Sequence, residues 1–479
     1  MTPISVALTL AAYLTVLLSL TWYTSRRAKN NDYFVAGRNV RWYIAAMAMI
    51  SAAMSGITFV SVPGSVAADS FSYMQMVLGF TVGQMVIAFV LIPIFYRLQV
   101  RSLYEYLDER FGLASHRSGA WLFFISKLTI SALRLFLMCT VMQMLLFDHY
   151  GIPFWVNIIF TMAVVFTATR RGGVKSLVWT DILKSVSLIS ALVLCIYYIA
   201  TSFGWGMGEM IREIHACEYS QIFFFDDPSS PRYFWKMFFA GMFTLVAMTG
   251  LDQDMMQCNL SCVDYKNAQI NIVLTAICQI FVILLFLLLG ALLYIYAAAH
   301  AIELPSSGDQ LFSLIAVESG LPAIVGVMFI IGLCSSSYSS AASSLTALTT
   351  SFTLDMLKGG DRDEASLTKL RRRVHLSIAA ATAVVIFIVG LLSETSLINT
   401  LFKFVGYTYG PILGLFSFGI LTKIRVKDRL VPCVAISSLV ISIVGEWALM
   451  HYAGYKIGFE LLIYNAAITF VGMLIIRKR

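Results

Sequence analysis

The sequence predicts an all-α, polytopic membrane protein with about 13 transmembrane helices. Three observations predict this class. Hydrophobic residues make up 59% of the 479 residues and charged residues only 13%, which is too little polar surface to cover a soluble globule. Apolar stretches of about 20 residues, the length that spans a bilayer, recur along nearly the whole chain. Basic and acidic connections alternate between these stretches.

The predicted spans are joined by connections no longer than about 30 residues. A separate catalytic or signalling domain has no room in such a chain, so the function must lie within the helical bundle, and no enzymatic activity is predicted. The minor alternatives are an ion channel and a transporter-like sensor or intramembrane enzyme. The predicted spans cover residues 3–24, 42–66, 71–97, 118–146, 152–169, 176–202, 232–254, 268–300, 322–357, 375–393, 397–422, 429–450 and 457–476.

Lys and Arg in alternate connections indicate the orientation, because short basic loops stay on the cytoplasmic side. The pattern predicts a bacterial inner-membrane protein with its N-terminus outside and its C-terminus in the cytoplasm. These loops also explain the net charge of +8, so no nucleic-acid partner is predicted. The basic residues of the first inner connections are Arg26, Arg27, Lys29, Arg38, Arg41, Arg97, Arg101, Arg110, Arg117, Arg170, Arg171 and Lys175.

The second predicted span contains a segment of small residues, 51–59, followed by Pro63 and Gly64. Gly and Pro at membrane depth permit a helix interruption, which frees backbone carbonyls such as those of Ser51 and Met54 to face a cation. The alternative is close helix packing through small residues. The segment therefore needs a partner to be interpreted as an ion site.

Residues 334–344 form a serine-rich stretch that is a suitable partner. Ser336, Ser339, Ser340 and Ser343 fall at i, i+3, i+4 and i+7, so their hydroxyls share one helical face. Hydroxyls and freed carbonyls supply the oxygen ligands that small hard cations prefer. The alternative is a tight helix contact in which the hydroxyls bond to their own helix.

Two further charged side chains lie inside apolar spans. Asp181 follows a glycine turn and is either a ligand of a coupling ion or a partner of Lys184. Arg134 lies near the middle of its span, where a guanidinium must face an internal acid or a water-filled cavity. It is suited to bind a carboxylate through two parallel hydrogen bonds. Lys127 lies seven residues earlier on the same face of this helix, nearer its inner end. We interpret it as a lysine that snorkels to the membrane surface.

Several motifs follow one another in a fixed order along the chain. Together they resemble the sodium:solute symporter family, whose members include sodium-coupled carriers of glucose, proline, iodide, multivitamins and sialic acid. Each motif alone is weak, whereas the whole series is specific. The motifs are residues 32–38 (DYFVAGR), 104–107 (YEYL), 110–112 (RFG), 172–181 (GGVKSLVWTD), 252–257 (DQDMMQ), 352–355 (FTLD) and 409–414 (YGPILG).

The resemblance implies a LeuT-like fold of two inverted five-helix repeats. The repeats would cover residues 42–202 and 232–422, with an additional N-terminal helix and cytoplasmic loop at 1–41, an extracellular loop at 203–231 and two further helices at 423–479. The second and seventh spans would contain the broken helices. In the seventh span, Met248 to Gly250 is the predicted interruption.

The resemblance also implies where sodium binds. The principal site would use the backbone carbonyls of Ser51, Met54 and Ser336 with the hydroxyls of Ser339 and Ser340. A second site, present in some members, would use Asp181 and Ser343. This chain has Ala342 where that site has another hydroxyl, and Lys184 where a Gln is common, so one coupled sodium is expected.

Arg134 resembles the carboxylate-binding arginine of the sialic-acid-transporting branch. Ser55, Thr58 and Gln75 would then contact the remaining oxygens of the solute. The sequence thus predicts a symporter in the lipid bilayer that couples Na+ to uptake of a small organic solute by alternating access, with a sugar acid such as sialic acid as the first candidate. The alternative is uptake of a neutral sugar or other nutrient, with Arg134 in a structural ion pair.

Overall fold

The structure is a computed structural model that describes residues 2–26, 54–98, 103–170, 174–260, 262, 264–305, 307–357, 363–392, 397–455 and 457–478. Within these ranges the chain is almost entirely helical, and its one β pairing is an isolated bridge between Val426 and Arg477. The predicted all-α class is therefore confirmed.

The first helix shows how the sequence sets a helix boundary. Thr2 caps it, because its hydroxyl oxygen accepts a hydrogen bond from the Ser5 amide at 3.3 Å, and Pro3 occupies the first helical position. The helices of the first part of the chain are α1 (Pro3–Ser25), α2 (Gly56–Gly64), α3 (Val66–Asp69), α4 (Tyr73–Val86), α5 (Ile92–Leu98), α6 (Glu105–Arg110), α7 (Leu113–Met142), α8 (Phe154–Thr169) and α9 (Val174–Ser202).

One-turn π-helical segments extend several of these helices. Ile87–Leu91 joins α4 to α5, so the two form one long crossing, and Gln143–Phe147 extends α7. The helices of the second part are α10 (Met207–Ala216), α11 (Phe234–Leu245), α12 (Gln253–Leu260), α13 (Tyr265–Ala299), α14 (Leu311–Glu318), α15 (Ala323–Ser351), α16 (Glu364–Leu392), α17 (Leu397–Leu421), α18 (Val431–Ala453) and α19 (Leu461–Ile475).

Nine helical segments in the described ranges are long and apolar enough to cross a bilayer, and three shorter apolar helices accompany them. Together, the nine segments and the three shorter helices correspond to twelve of the predicted spans. Of the remaining predicted span, 42–66, the structure describes only the part from residue 54 onward. The total of thirteen stays a prediction. The nine are Pro3–Ser25, Val66–Leu98, Leu113–Tyr150, Trp179–Ser202, Tyr265–Ala299, Ala323–Leu354, Glu364–Leu391, Thr400–Leu421 and Asp428–Ala453.

Helices α7 and α15 lie at the centre of the bundle. In their most apolar windows, 78% and 72% of the residues are buried, against 22% for the segment that contains α18. Large apolar side chains such as Phe281, Leu391 and Trp447 are exposed on the outer helices, as expected for surfaces that face lipid. Polar residues on α7 and α15 are therefore the ones best placed to form an internal site.

One helix is interrupted within the bundle, and another begins inside it. Ser55 is extended (φ −108°, ψ 170°) and caps α2, which begins at Gly56. In the seventh predicted span, α11 ends at Leu245, a π-helical turn covers Val246–Gly250, and α12 begins at Gln253 after a non-helical Leu251. The break itself lies at Leu251 and Asp252, just after the predicted Met248 to Gly250, which belong to the π-helical turn. The structure describes the interruption at 51–56 only from Met54 onward.

Candidate functional site

A cavity of about 100 Å³ lies between the start of α2 and the break between α11 and α12. It receives side chains from the first turn of α2, from α4, from the middle of α7, from the π-helical turn after α11, from α13 and from α17. Its apolar wall includes Tyr73, Phe80 and Phe402. The polar side chains that line it are Ser55, Thr58, Gln84, Arg134, Thr244, Thr249, Thr275 and Gln279.

Arg134 is the charged residue of this cavity lining. Its Nε atom is buried and has no hydrogen-bond partner. The ion pairs among the described residues are His116 with Asp108, Lys127 with two acids, and Lys403 with Glu446, so none of them involves Arg134. A guanidinium carries five N–H donors. In the described part of the chain, the geometry therefore favours the cavity-facing interpretation of Arg134 over the structural ion pair.

The cavity also offers hydrogen-bond acceptors. Gln84 donates through Nε2 to Oε1 of Gln279 at 2.9 Å, which leaves Oε1 of Gln84 buried and without a partner. At the first turn of α2, the hydroxyls of Ser55 and Thr58 lie 3.3 Å apart. The wall thus combines a cationic donor, Nε of Arg134, with an acceptor, Oε1 of Gln84, and neither atom has a hydrogen-bond partner. This arrangement suits an acid that also bears hydroxyl or amide groups.

Gln75 lies outside the cavity lining. Its Nε2 donates to the carbonyl of Arg232 at 2.9 Å and to that of Ser72 at 3.3 Å, and its Oε1 accepts from the Phe224 amide at 3.1 Å. These bonds fasten the loop before α11 to the start of α4. The structure brings Ser55, Thr58 and Arg134 together, whereas Gln75 anchors the loop.

The start of α2 packs directly on the serine-rich helix. A Cβ added to Gly56 would lie 2.2 Å from Oγ of Ser337 and 3.6 Å from Oγ of Ser336, so only glycine permits this approach without a shift. Met54, two residues earlier, is buried. Ser51 lies outside the described residues. In the described residues, the predicted segment therefore contacts α15 from Gly56 onward.

The hydroxyls of the serine-rich helix that share one face belong to Ser336, Ser339, Ser340 and Ser343. Three of the four contact charged side chains, two of them on α9. Ser339 donates to the carboxylate of Asp181, and Ser340 accepts from Nζ of Lys184 at 3.0 Å. The carboxylate and the ammonium both come from α9, which packs along α15. This polar contact between two buried helices is the part of the predicted sodium site that the structure describes most fully.

The other two hydroxyls have different partners. Ser343 donates to Oδ1 of Asp254 at 2.8 Å, and Ser336 donates to the carbonyl of Leu333, on its own helix, at 3.0 Å. Ser343 therefore bonds to an acid of α12, while Asp181 bonds to Ser339. The two residues predicted for a second sodium site are engaged in separate contacts.

The donor atoms at Asp181, Ser339 and Ser340 fit sodium, because a carboxylate and two hydroxyls are oxygen ligands of the type that hard cations take. Backbone carbonyls near Met54 would complete such a set. The ammonium of Lys184 contacts one member of it, the hydroxyl of Ser340.

A buried ionic network next to this region was not predicted. Nζ of Lys127 lies 3.0 Å from Oδ2 of Asp252 and 3.0 Å from Oδ2 of Asp254, and only 3% of Lys127 is exposed. The interpretation of Lys127 as snorkelling is therefore wrong, because the interruption before α12 brings two acids to its ammonium. Asp252 also accepts a hydrogen bond from the hydroxyl of Tyr409 at 2.7 Å.

A second cavity of about 310 Å³ adjoins the first. Charged side chains line it, among them Asp69, Arg232 and the ion pair of Lys403 with Glu446, whose nitrogen and oxygen lie 2.7 Å apart. Tyr73 lines both cavities, so the two lie next to each other.

The profile described as the Sodium:solute symporter family matches residues 33–428 of the 479-residue chain. The chain belongs to this family. The match covers α2, the break between α11 and α12, Arg134 and the serine-rich helix, so the cavity and the candidate cation site lie inside the family region.

Curated relatives are similar to this chain over most of its length. Sodium-coupled monocarboxylate transporter 2 of Bos taurus is 24% identical over 408 residues, which cover 83% of this chain and 64% of that protein. The sodium/sialic acid symporter NanT of Aliivibrio fischeri is 25% identical over 432 residues, covering 86% and 82%. The chain thus spans less than two thirds of the length of the monocarboxylate transporters that it matches.

Among solved structures, the substrate-bound outward-open state of a sodium-coupled sialic acid symporter is similar to this chain, with a TM-score of 0.81 at 20% identity. The match covers 98% of this chain and 97% of that one. This likeness confirms the predicted LeuT-like transporter fold.

Proposed function

We propose that this protein is a sodium-coupled symporter that imports a small organic carboxylate, with a sugar acid such as sialic acid as the first candidate. The observation that carries the proposal is Arg134, whose guanidinium lines an internal cavity with a buried and unpaired Nε. A buried cationic donor without a partner is unfavourable, and a carboxylate is the ligand whose geometry matches it.

The start of α2 also favours an anion in this cavity. Ser55 caps the helix, and both Ser55 and Thr58 line the cavity, so the N-terminal end of α2 borders it. The first turn of a helix carries unsatisfied N–H groups and the positive end of the helix dipole. A carboxylate held by Arg134 would have these hydroxyls nearby for its remaining oxygens.

The lining distinguishes between two kinds of acid. Seven hydroxyl or amide side chains surround Arg134, which suits a hydroxylated acid. The volume favours a second candidate, a short monocarboxylate, because a water-sized sphere takes roughly 10–15 Å³ and the cavity offers about 100 Å³. The relatives named for sialic acid and for monocarboxylates support testing both classes.

Charge balance supports a stoichiometry of one sodium per monocarboxylate. A net charge inside a membrane protein is costly, so a neutral cluster tolerates a cation and an anion better together than singly. Direct contacts, together with the electrostatic interactions of Arg134 and Lys184 with Asp254, join the charged side chains here into one cluster with equal numbers of the two signs. Its cations are Arg134, Lys127 and Lys184, and its anions are Asp181, Asp252 and Asp254.

The orientation proposed from the basic loops assigns the charged groups on either side of Arg134 to the outer or the cytoplasmic half of the transport path. The N-terminus lies outside, the C-terminus lies in the cytoplasm of a bacterial inner membrane, and two inverted repeats cover residues 42–202 and 232–422. The ion pairs of Lys127 then lie on the cytoplasmic side of Arg134. Tyr73 and the second cavity lie on the outer side. Release of the solute to the cytoplasm would require the ion network to open.

Uptake by purified protein in proteoliposomes tests this function. An inward sodium gradient should drive accumulation of labelled sialic acid or of a short monocarboxylate, whereas an equal potassium gradient should not. An imposed membrane potential should leave the rate unchanged, because one sodium and one carboxylate carry no net charge together. Protein-free liposomes are the control. Uptake indifferent to the sodium gradient would contradict the proposal, and uptake driven by the potential would contradict the stoichiometry.

A further inference from the structure

Lys184 is buried at the contact between α9 and α15. Only 1% of it is exposed, and its Nζ donates to Oγ of Ser340 at 3.0 Å. Asp181, one turn earlier on the same face of α9, accepts a hydrogen bond from Ser339. Two neighbouring hydroxyls of α15 therefore contact a carboxylate and an ammonium of α9.

The ammonium lies where a coupling sodium would find its ligands. The hydroxyl oxygen of Ser340 accepts from Lys184, and that oxygen is one of the ligands proposed for sodium. An ammonium and a sodium ion carry the same charge and both seek oxygen atoms. Two unit positive charges at one hydroxyl repel strongly where little water separates them. The two cations are thus alternatives at this position.

We propose that Lys184 is a tethered cation that takes the place of sodium at Asp181, Ser339 and Ser340, so that sodium enters only when the Lys184 ammonium withdraws. This inference rests on the proposed sodium coupling. The four-carbon stem of lysine is flexible enough for its charged end to leave the hydroxyl of Ser340 while it stays among the acids of the same cluster, so the charge balance described above is kept.

Such a residue has two consequences for a symporter. Without sodium, Lys184 bridges α9 to α15 and supplies the positive charge next to Asp181. With sodium, the ion must displace that charge, which lowers its apparent affinity. If the ammonium holds the position for nine tenths of the time, the apparent sodium affinity falls about tenfold.

A purely structural role of Lys184 gives a different expectation. If the lysine only neutralises Asp181, its removal leaves an uncompensated buried acid and a less stable protein, with no particular gain for sodium over other cations. The two roles are therefore distinguished by sodium selectivity and not by stability alone.

The test is the thermal stability of the purified, full-length protein against sodium concentration, with potassium keeping the ionic strength constant. Lys184→Gln should reach half of its sodium-dependent stabilisation at about one tenth of the wild-type sodium concentration. Lys184→Arg, which keeps a tethered charge, should lack this gain. Lys266→Gln removes an exposed lysine at the start of α13 and should behave like the wild type.

An unchanged or higher sodium midpoint for Lys184→Gln would overturn the inference. If neither the wild type nor any variant responded to sodium, the proposed sodium coupling itself would be wrong. A variant too unstable to purify is covered by a second measurement, the half-saturating sodium concentration for uptake into membrane vesicles that contain Lys184→Gln or Lys184→Met. The same decrease is expected there, and its absence would again overturn the inference.

Discussion

Replacing Arg134 with Gln is expected to reduce sodium-driven carboxylate uptake by about 100-fold, because charge-assisted hydrogen bonds contribute about 1.5–3 kcal/mol each and the substitution removes a bidentate pair. Arg134→Lys keeps the charge but loses the planar fork, so a smaller loss of about tenfold is expected. Initial rates of uptake at several solute concentrations, in proteoliposomes with a fixed sodium gradient, measure both effects.

The stability of these variants separates substrate binding from a structural role. Nε of Arg134 is buried without a hydrogen-bond partner, and its guanidinium interacts with Asp252 and Asp254 only at a distance, so Arg134→Gln should lose less stability than Lys127→Met, which removes direct ion pairs. Arg212→Gln, at an exposed position on α10, is the matched control and should change neither property. A destabilised Arg134→Gln protein that still transports would favour the neutral solute with a structural ion pair.

Replacing Lys127 with Met is expected to lower the free energy of unfolding by about 3–5 kcal/mol, because it leaves buried carboxylates without their counter-charge. Asp252 and Asp254 each lie 3.0 Å from the ammonium that the substitution removes. Thermal or denaturant unfolding of the purified protein measures the loss. The double variant Lys127→Met with Asp254→Asn should recover part of it, because Asp252 keeps its hydrogen bond from Tyr409.

Lys369→Met is the control for this change, since Lys369 is exposed on α16. It should alter the free energy of unfolding by less than about 0.5 kcal/mol. Equal stability of Lys127→Met and the wild type would show that the buried network does not hold α7 to the interrupted helix. A double variant no more stable than Lys127→Met would show that Asp254 is not the acid left uncompensated.

The sequence predicts the fold well, because bilayer thickness fixes the length of a spanning helix. In lipid, an apolar segment of about 20 residues must also pair its own backbone N–H and C=O groups, which a helix does. It also predicts which polar segments matter. The glycine at Gly56 and the period of Ser336, Ser339 and Ser340 are local signals, and the structure places these segments against each other. Arg134 was identified by the same reasoning, since a guanidinium in an apolar span needs a cavity or a partner.

The remaining features depend on contacts that no local pattern encodes. Lys127 bonds to Asp252, 125 residues away, and Gln75 bonds to Arg232, 157 residues away. The spacing of Lys184 and Asp181 predicts a pair within one helix, whereas the structure extends the ammonium to Ser340 on another helix. Side-chain periodicity predicts which face a residue occupies, and helix packing decides what it meets there.

Sodium-dependent thermal stabilisation by a carboxylate solute tests the central claim most directly. The purified protein is heated in sodium or in potassium with sialic acid, a short monocarboxylate or a neutral sugar. A ligand at 100 times its Kd adds about 2.7 kcal/mol to the stability of the protein that binds it. One of the two acids should raise the unfolding temperature in sodium only, and Arg134→Gln should abolish the effect. Stabilisation by the neutral sugar, or equal stabilisation by the acid in sodium and potassium, would contradict the account.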